Sequence, residues 1–197
     1  VIPDPAAVLV ALREVEREHH RGGWDGAPAV HALRARRGAV AASVALPLRN
    51  EVPPGAALAA VAVSMVDAGR PAVPLTGATF AGWAIVSEAW MVEGQERPNV
   101  RSLKDAPGRF EIRFAMAADT TGQLYYVQRK RGEAPTAQII DGGASGVDGM
   151  AVDGRLAAAL QLMIAATAPY LDGAHAAQWL VDFRDALISR LIGELDN

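Results

Sequence analysis

FEIRFAMAADTTGQLYYVQRKR, residues 110 to 131, is the stretch that decides the fold. Phe110, Ile112, Phe114 and Met116 alternate with Glu111 and Arg113, and this period of two gives a strand one apolar face and one wet face. Leu124 to Arg131 forms a second run of β-formers, and Asp119-Thr120-Thr121-Gly122 between them reads as a tight hairpin. Pairing Ala118 with Gln123 sets Met116 beside Tyr125, Phe114 beside Val127 and Glu111 beside Lys130. In that register the charge pattern and the apolar pattern agree.

Working outward, Trp83 to Val92 is rich in aromatics and β-formers and supplies a third strand. Arg70 to Gly82, with Pro71, Pro74 and Gly77, reads as an irregular connection. Before it, Pro53-Pro54-Gly55 opens a helix with the stripe Leu58, Val61, Ala62, Met65 and Val66, closed at Gly69. The Ala-rich run from 29 to 46 suits a helix on propensity alone. A hairpin is preferred, because Arg37-Gly38 separates Val30 and Ala32 from Val40, Ser43 and Val44, with Pro47 ending the second run. Asp4-Pro5 starts a helix to about residue 20 that aligns Val8, Leu9, Leu12, Val15 and His19 on one face.

Towards the other end, residues 141–152 are glycine-rich and read as a flexible surface loop. A helix follows from Asp153 to about Ala168, stopped by Pro169, with Leu156, Leu160, Met163 and Ile164 inward. A second spans roughly Ala174 to Leu195, and its apolar positions cover more than one stripe. The expectation is a single α+β domain over residues 1–197: an antiparallel sheet of about five strands with helices on one face, in the order α-ββ-α-βββ-αα.

Composition bounds the chemistry. The 197 residues are 51% hydrophobic but only 6% aromatic, so the core is expected to be built from Val, Leu, Ile and Ala. A formal charge of −3 lacks the basic excess of a dedicated duplex-DNA binder. The absence of Cys removes disulfides, thiolate nucleophiles, thiolate zinc sites and iron–sulfur clusters. No run is long and apolar enough for a membrane span, and Asp4, Arg13 and Glu14 stand where a secretory signal would need an apolar block. The expected location is the cytoplasm.

Each polar cluster competes with a purely architectural reading. His19, His20 and His31 with Asp25 are the only histidine-centred metal candidate, but adjacent histidines point to different sides of a helix, so no metal site is assigned. Glu88, in the middle of an apolar strand, with Glu111 and Asp119, offers carboxylates for acid–base catalysis. An alternating Glu is expected on the wet face of an antiparallel sheet and explains it better, so no catalytic residue or cofactor is assigned. Ser145 in the glycine loop lacks the following Gly of a nucleophile elbow, and no phosphate-cradle ending follows the loop. Tyr125, Tyr126, Arg129, Lys130 and Arg131 interleave aromatics with cations as nucleic-acid or anionic-ligand binding strands do. Trp179, Phe183, Ile188 and Ile192, on the over-wide C-terminal helix, are candidates for a partner or homodimer interface.

Three segments, Gly23 to Pro28 (GWDGAP), Trp83 to Trp90 (WAIVSEAW) and Asp119 to Glu133 (DTTGQLYYVQRKRGE), resemble a small group of uncharacterised proteins from actinobacteria and their bacteriophages. The similarity covers most of the first two thirds of the chain. The group has no assigned reaction, so the resemblance implies a source and no functional residues; for a phage-encoded chain the location would be the host cytoplasm. The favoured expectation is a non-catalytic protein-binding or regulatory protein, acting on a host protein if phage-encoded. Nucleic-acid binding through Tyr125 to Arg131, a phage structural component and an enzyme using Glu88 are the alternatives.

Overall fold

A computed structural model describes residues 2–43, 46–49, 51–68, 79–92, 106–140 and 154–167. Helix α1 (Pro5–Arg21) is followed by strands β1 (Ala29–Arg36), β2 (Ala39–Ala42) and β3 (Leu46–Pro47) and by helix α2 (Pro54–Ala68). Strands β4 (Thr79–Val92), β5 (Arg109–Asp119), β6 (Leu124–Lys130) and β7 (Thr136–Ile140) come next, and then helix α3 (Gly154–Thr167). The strands form one antiparallel sheet ordered β2-β1-β4-β5-β6-β7, with β3 paired to the start of β1. The expected antiparallel α+β class is therefore present, with seven strands among the described residues.

Local chemistry explains most boundaries. The Asp4 carboxylate caps α1 by accepting the Ala6 N–H at 3.1 Å, with Pro5 in the first turn. Arg37 and Gly38 both have positive φ, 52° and 81°, as a two-residue type I′ hairpin turn requires. Residues 29–42 thus form the hairpin and not a helix.

Helices cover both faces of the sheet, where one covered face was expected. Val8, Ala11, Leu12 and Val15 of α1 pack on Leu33, Ala84, Val86, Ala115, Ala117, Tyr125 and Val127. The opposite face carries the larger side chains Trp83, Ile85, Phe114, Met116 and Tyr126 under Leu58, Ala62 and Met65 of α2 and Leu160, Met163 and Ile164 of α3. Alternation is obeyed, but both alternating sets are apolar along most of β5, which is buried from Glu111 to Asp119. Small Ala side chains beneath α1 let the helix approach the sheet closely. At the far end of α3, Trp83 Nε1 donates to Thr167 Oγ1 at 2.8 Å, so the indole is buried with its polar atom satisfied.

The β5–β6 register differs by one residue from the expected one. Ala118 pairs with Leu124, Met116 with Tyr126, Phe114 with Gln128 and Ile112 with Lys130. The cause is the Asp119 carboxylate, whose Oδ1 accepts from the Thr121 and Gln123 N–H groups and whose Oδ2 accepts from Tyr125 Oη at 2.7 Å. With Gly122 left-handed at φ 84°, the loop becomes a type I turn plus one bulged residue, and Asp119 N–H bonds to Gln123 O. The slip moves Lys130 to the α2/α3 side, over Phe110, and leaves Glu111 to Arg131.

Two further differences follow from backbone contacts. Residues from Thr79 onward, expected in an irregular connection, already belong to β4. There β1 and β4 pair with a shift, Leu33 to Gly82 and Arg34 to Phe80. Strand β7, which the sequence pattern did not signal, pairs with β6 from Gln128 to Leu124. The glycine-rich loop and the expected second C-terminal helix, with Trp179, Phe183, Ile188 and Ile192, lie outside the described residues.

At Gly82 the backbone of β5 leaves no room for a side chain, since a Cβ there would lie 2.2 Å from Ala118 O and 2.9 Å from Asp119 Cα. Gly82→Ala is expected to cost about 3 kcal/mol, because backbone on both strands must move. Gly132→Ala, at positive φ but facing open space, should cost only about 1 kcal/mol. Urea unfolding of the two variants checks the ordering.

Candidate functional site: a buried guanidinium and the groove beside it

Three charged side chains stand in one row across the α1 face of the sheet. Glu88 on β4 is the cross-strand partner of Arg113 on β5, and Arg113 is the partner of Arg129 on β6. Two guanidiniums directly opposite each other repel, so each needs its own carboxylate. Glu88 supplies one, since its Oε1 lies 3.1 Å from Arg113 Nε and 2.5 Å from Nη2. Glu16, reaching down from α1, supplies the other in a two-pronged contact, Oε1 to Arg129 Nε at 2.6 Å and Oε2 to Nη2 at 2.8 Å. Arg113 is fully buried and Glu88 and Glu16 nearly so.

Arg113 also organises the turn that follows α1. Its Nη2 donates to Gly23 O and its Nη1 to His20 Nδ1 at 2.8 Å. Its Cζ stands 4.5 Å from the centre of the Trp24 ring. Arg131, held at Glu111, lies 5.1 Å from the same ring, so the indole stacks with two guanidiniums. Glu88 Oε2 completes the contact by accepting the Asp25 N–H at 2.7 Å, which holds Asp25 at φ 68°. The turn is fastened to the sheet by charge and aromatic contacts.

His19 packs beneath this turn, and a Cβ on Gly26 would lie 2.8 Å from its Nε2. That nitrogen is buried and has no hydrogen-bond partner among the described residues. Burial first, and then the Arg113 charge, hold the His19 imidazole below its ordinary range. His31 donates from Nδ1 to Ser43 O at 2.9 Å, and its burial likewise lowers its pKa. The four groups that suggested a metal site thus have separate roles: His20 faces Arg113, His31 faces Ser43, His19 supports Gly26, and Asp25 stands at the groove rim described below.

Carboxylate oxygens of Asp25, Glu88 and Glu111 do lie within 4.8 Å of one another. Two guanidiniums already stand among them, Arg113 on Glu88 and Arg131 on Glu111, so the negative charge a divalent cation would need is largely matched. Glu88 and Glu111 read as members of an ion-pair network, with Asp25 beside it.

The aromatic–basic run is also absorbed by the fold. Tyr125 is fully buried and bonded to Asp119, and Tyr126 is buried beside Phe114 with its hydroxyl on Gln128. Burial pushes both phenols well above their usual range. Arg129 is paired with Glu16, Lys130 with Glu133 at 3.5 Å, and Arg131 with Glu111. Rings in these positions cannot stack on bases without leaving the core.

What remains open is a groove of about 470 Å³ beside Glu88. Strand β1 stops pairing with β4 at Ala29–Val86, so Ser87 and Glu88 extend past its end. Asp25, Gly26 and Pro28 line the groove with them from the turn, and Glu51, Val52, Pro53 and Pro54 from the approach to α2. Glu88 therefore does border a concave surface, but its oxygens are engaged in holding Arg113 and the turn. The Asp25 and Glu51 side chains are exposed and make no hydrogen bond or ion pair among the described residues. Sequence patterning signalled Glu88 but not Arg113, whose place in the alternation put it on the wet face.

Removing one partner of this pair should be costly, because it strands the other as an uncompensated buried charge. Arg113→Met and Glu88→Gln are each expected to lose about 3 to 5 kcal/mol, and the double variant clearly less than their sum. A double-mutant cycle by urea denaturation measures the difference. No family model, curated protein or solved structure matches the chain, so its functional reading rests on these side chains.

Proposed function

We propose that this is a non-catalytic binding protein that receives a basic segment of a partner protein in the groove between the Trp24–Pro28 turn and residues 51–54. The observation that carries this reading is the pairing of two exposed carboxylates, Asp25 and Glu51, which have no partner among the described residues, with an apolar lining of Pro28, Val52, Pro53 and Pro54. A Lys or Arg side chain matches both features. Its aliphatic stem covers the prolines while its cationic head meets the rim carboxylates.

Proline rings make the lining stiff, so little conformational entropy is lost there on binding. The groove is open at its surface, which suits a side chain entering from a neighbouring chain. Buried Arg113 sits behind Glu88 and neutralises it, so selectivity for cations falls to Asp25 and Glu51 at the rim. Contacts of this kind are screened by salt, and each contributes well under 2 kcal/mol.

The test uses the full chain labelled with ¹⁵N and two short peptides, one rich in Lys and Arg and one in Asp and Glu. The basic peptide should shift the amide resonances of Asp25, Gly26, Glu51 and Val52, and the acidic one should not. Asp25→Asn combined with Glu51→Gln should weaken binding roughly tenfold while leaving the unfolding midpoint nearly unchanged. Shifts elsewhere on the surface, or none with the basic peptide at low salt, would overturn the assignment of the groove.

A further inference from the structure

We infer that His19, beside the His20 ring that accepts from Arg113, makes the Gly22–Pro28 turn a proton-sensitive latch: it is closed on the sheet while the His19 imidazole is neutral, and proton uptake there releases it. The inference stands on one contact and one unmatched buried atom. Arg113 Nη1 can only donate, so His20 Nδ1 must be the acceptor across their 2.8 Å contact and carries no proton. His19 Nε2 is buried under Gly26 and has no hydrogen-bond partner among the described residues, so a charged imidazole there would hold a buried N–H with nothing to accept it.

The groups facing His19 come from each element around it. Arg113 on β5 and His31 on β1 oppose a positive charge, while Glu88 on β4 and Glu16 on α1 favour it. Burial and Arg113 outweigh the carboxylates, and the His19 pKa lies below 6.5. The unfolded or open form then binds a proton more readily than the closed form. The closed turn has its full stability above about pH 6.5 and loses it as the pH falls from there through the lowered His19 pKa.

Opening would break the Asp25 N–H contact to Glu88, the Arg113 contact to Gly23 and the Trp24 stack together, since all are carried by the same seven residues. Asp25, Gly26 and Pro28 would leave the groove with them. Release of a basic partner on mild acidification rests on the groove reading; the latch itself does not.

The latch is tested without any ligand, by hydrogen exchange and imidazole ¹⁵N spectra of the full chain between pH 7.5 and 5.5. After correction for intrinsic exchange, the Asp25 amide should lose roughly tenfold protection over this range, with its midpoint tracking the His19 titration. Amides in the β4–β5 ladder should keep theirs. His31→Gln should leave the effect intact, and His19→Gln with His20→Gln should abolish its pH dependence. A His19 imidazole that titrates in or above its ordinary range, or turn amides whose protection does not follow it, would overturn the latch even if the double variant fails to fold. Either result leaves the groove assignment to be judged by its own peptide test.

Discussion

A fully buried guanidinium is the constraint around which this molecule is arranged. Taking Arg113 out of water is expensive, and its position opposite Arg129 makes it more so. The surroundings answer with one carboxylate for each cation, Glu88 from the neighbouring strand and Glu16 from the helix above. They also supply a carbonyl at Gly23, an imidazole at His20 and the face of Trp24. Because Arg113 has donors in several directions, satisfying it recruits α1, the turn and β4 at once.

Such a network adds less stability than an apolar core of equal volume, yet it fixes geometry more tightly. An apolar end to this sheet face would let α1 and its following turn slide over Ala84, Val86, Ala115 and Ala117. The Glu16–Arg129 contact sets how far along the sheet α1 lies, and the Arg113 contacts set where the turn comes down. The apolar part of α1 supplies hydrophobic contact, and the charged part supplies position.

Much of this was legible in the sequence, and the misreadings share a cause. The Asp4 cap, the Arg37-Gly38 hairpin, the α2 start at Pro54 and the long strands all follow from local rules that tertiary packing did not override. Alternation also placed Glu111 and Arg113 on one face correctly, but it could not say that Ala115 and Ala117 make that face a second core. Helices on both faces and the burial of Arg113 were missed together for this reason. The clue lay in Glu88 and Arg113 each interrupting the middle of an apolar strand with opposite charge, a pattern that fits a buried pair better than two wet residues. The register slip arose from side-chain chemistry, because the Asp119 carboxylate bonds the backbone ahead of it and adds a bulged residue that hairpin counting overlooks. Shifting the pairing by one residue moved Lys130 off the face that holds Glu111 and put Arg131 there.

The groove is a consequence of unequal strand lengths. Strand β4 has fourteen residues and its neighbour β1 has eight, offset so that β4 overhangs past Ala29. The overhang leaves Ser87 and Glu88 without a β1 neighbour, and the chain entering β1 at Pro28 and the chain entering α2 at Pro53 and Pro54 flank the gap. Prolines suit these places because each begins an element where no ladder or helix partner needs their missing N–H. Glu88 belongs to both structures, since one oxygen neutralises Arg113 and the other holds the Asp25 amide. The same carboxylate that makes a buried cation tolerable therefore sets the position of the groove's acidic rim, and a change in the turn's contacts with Arg113 is transmitted to that rim over a single residue.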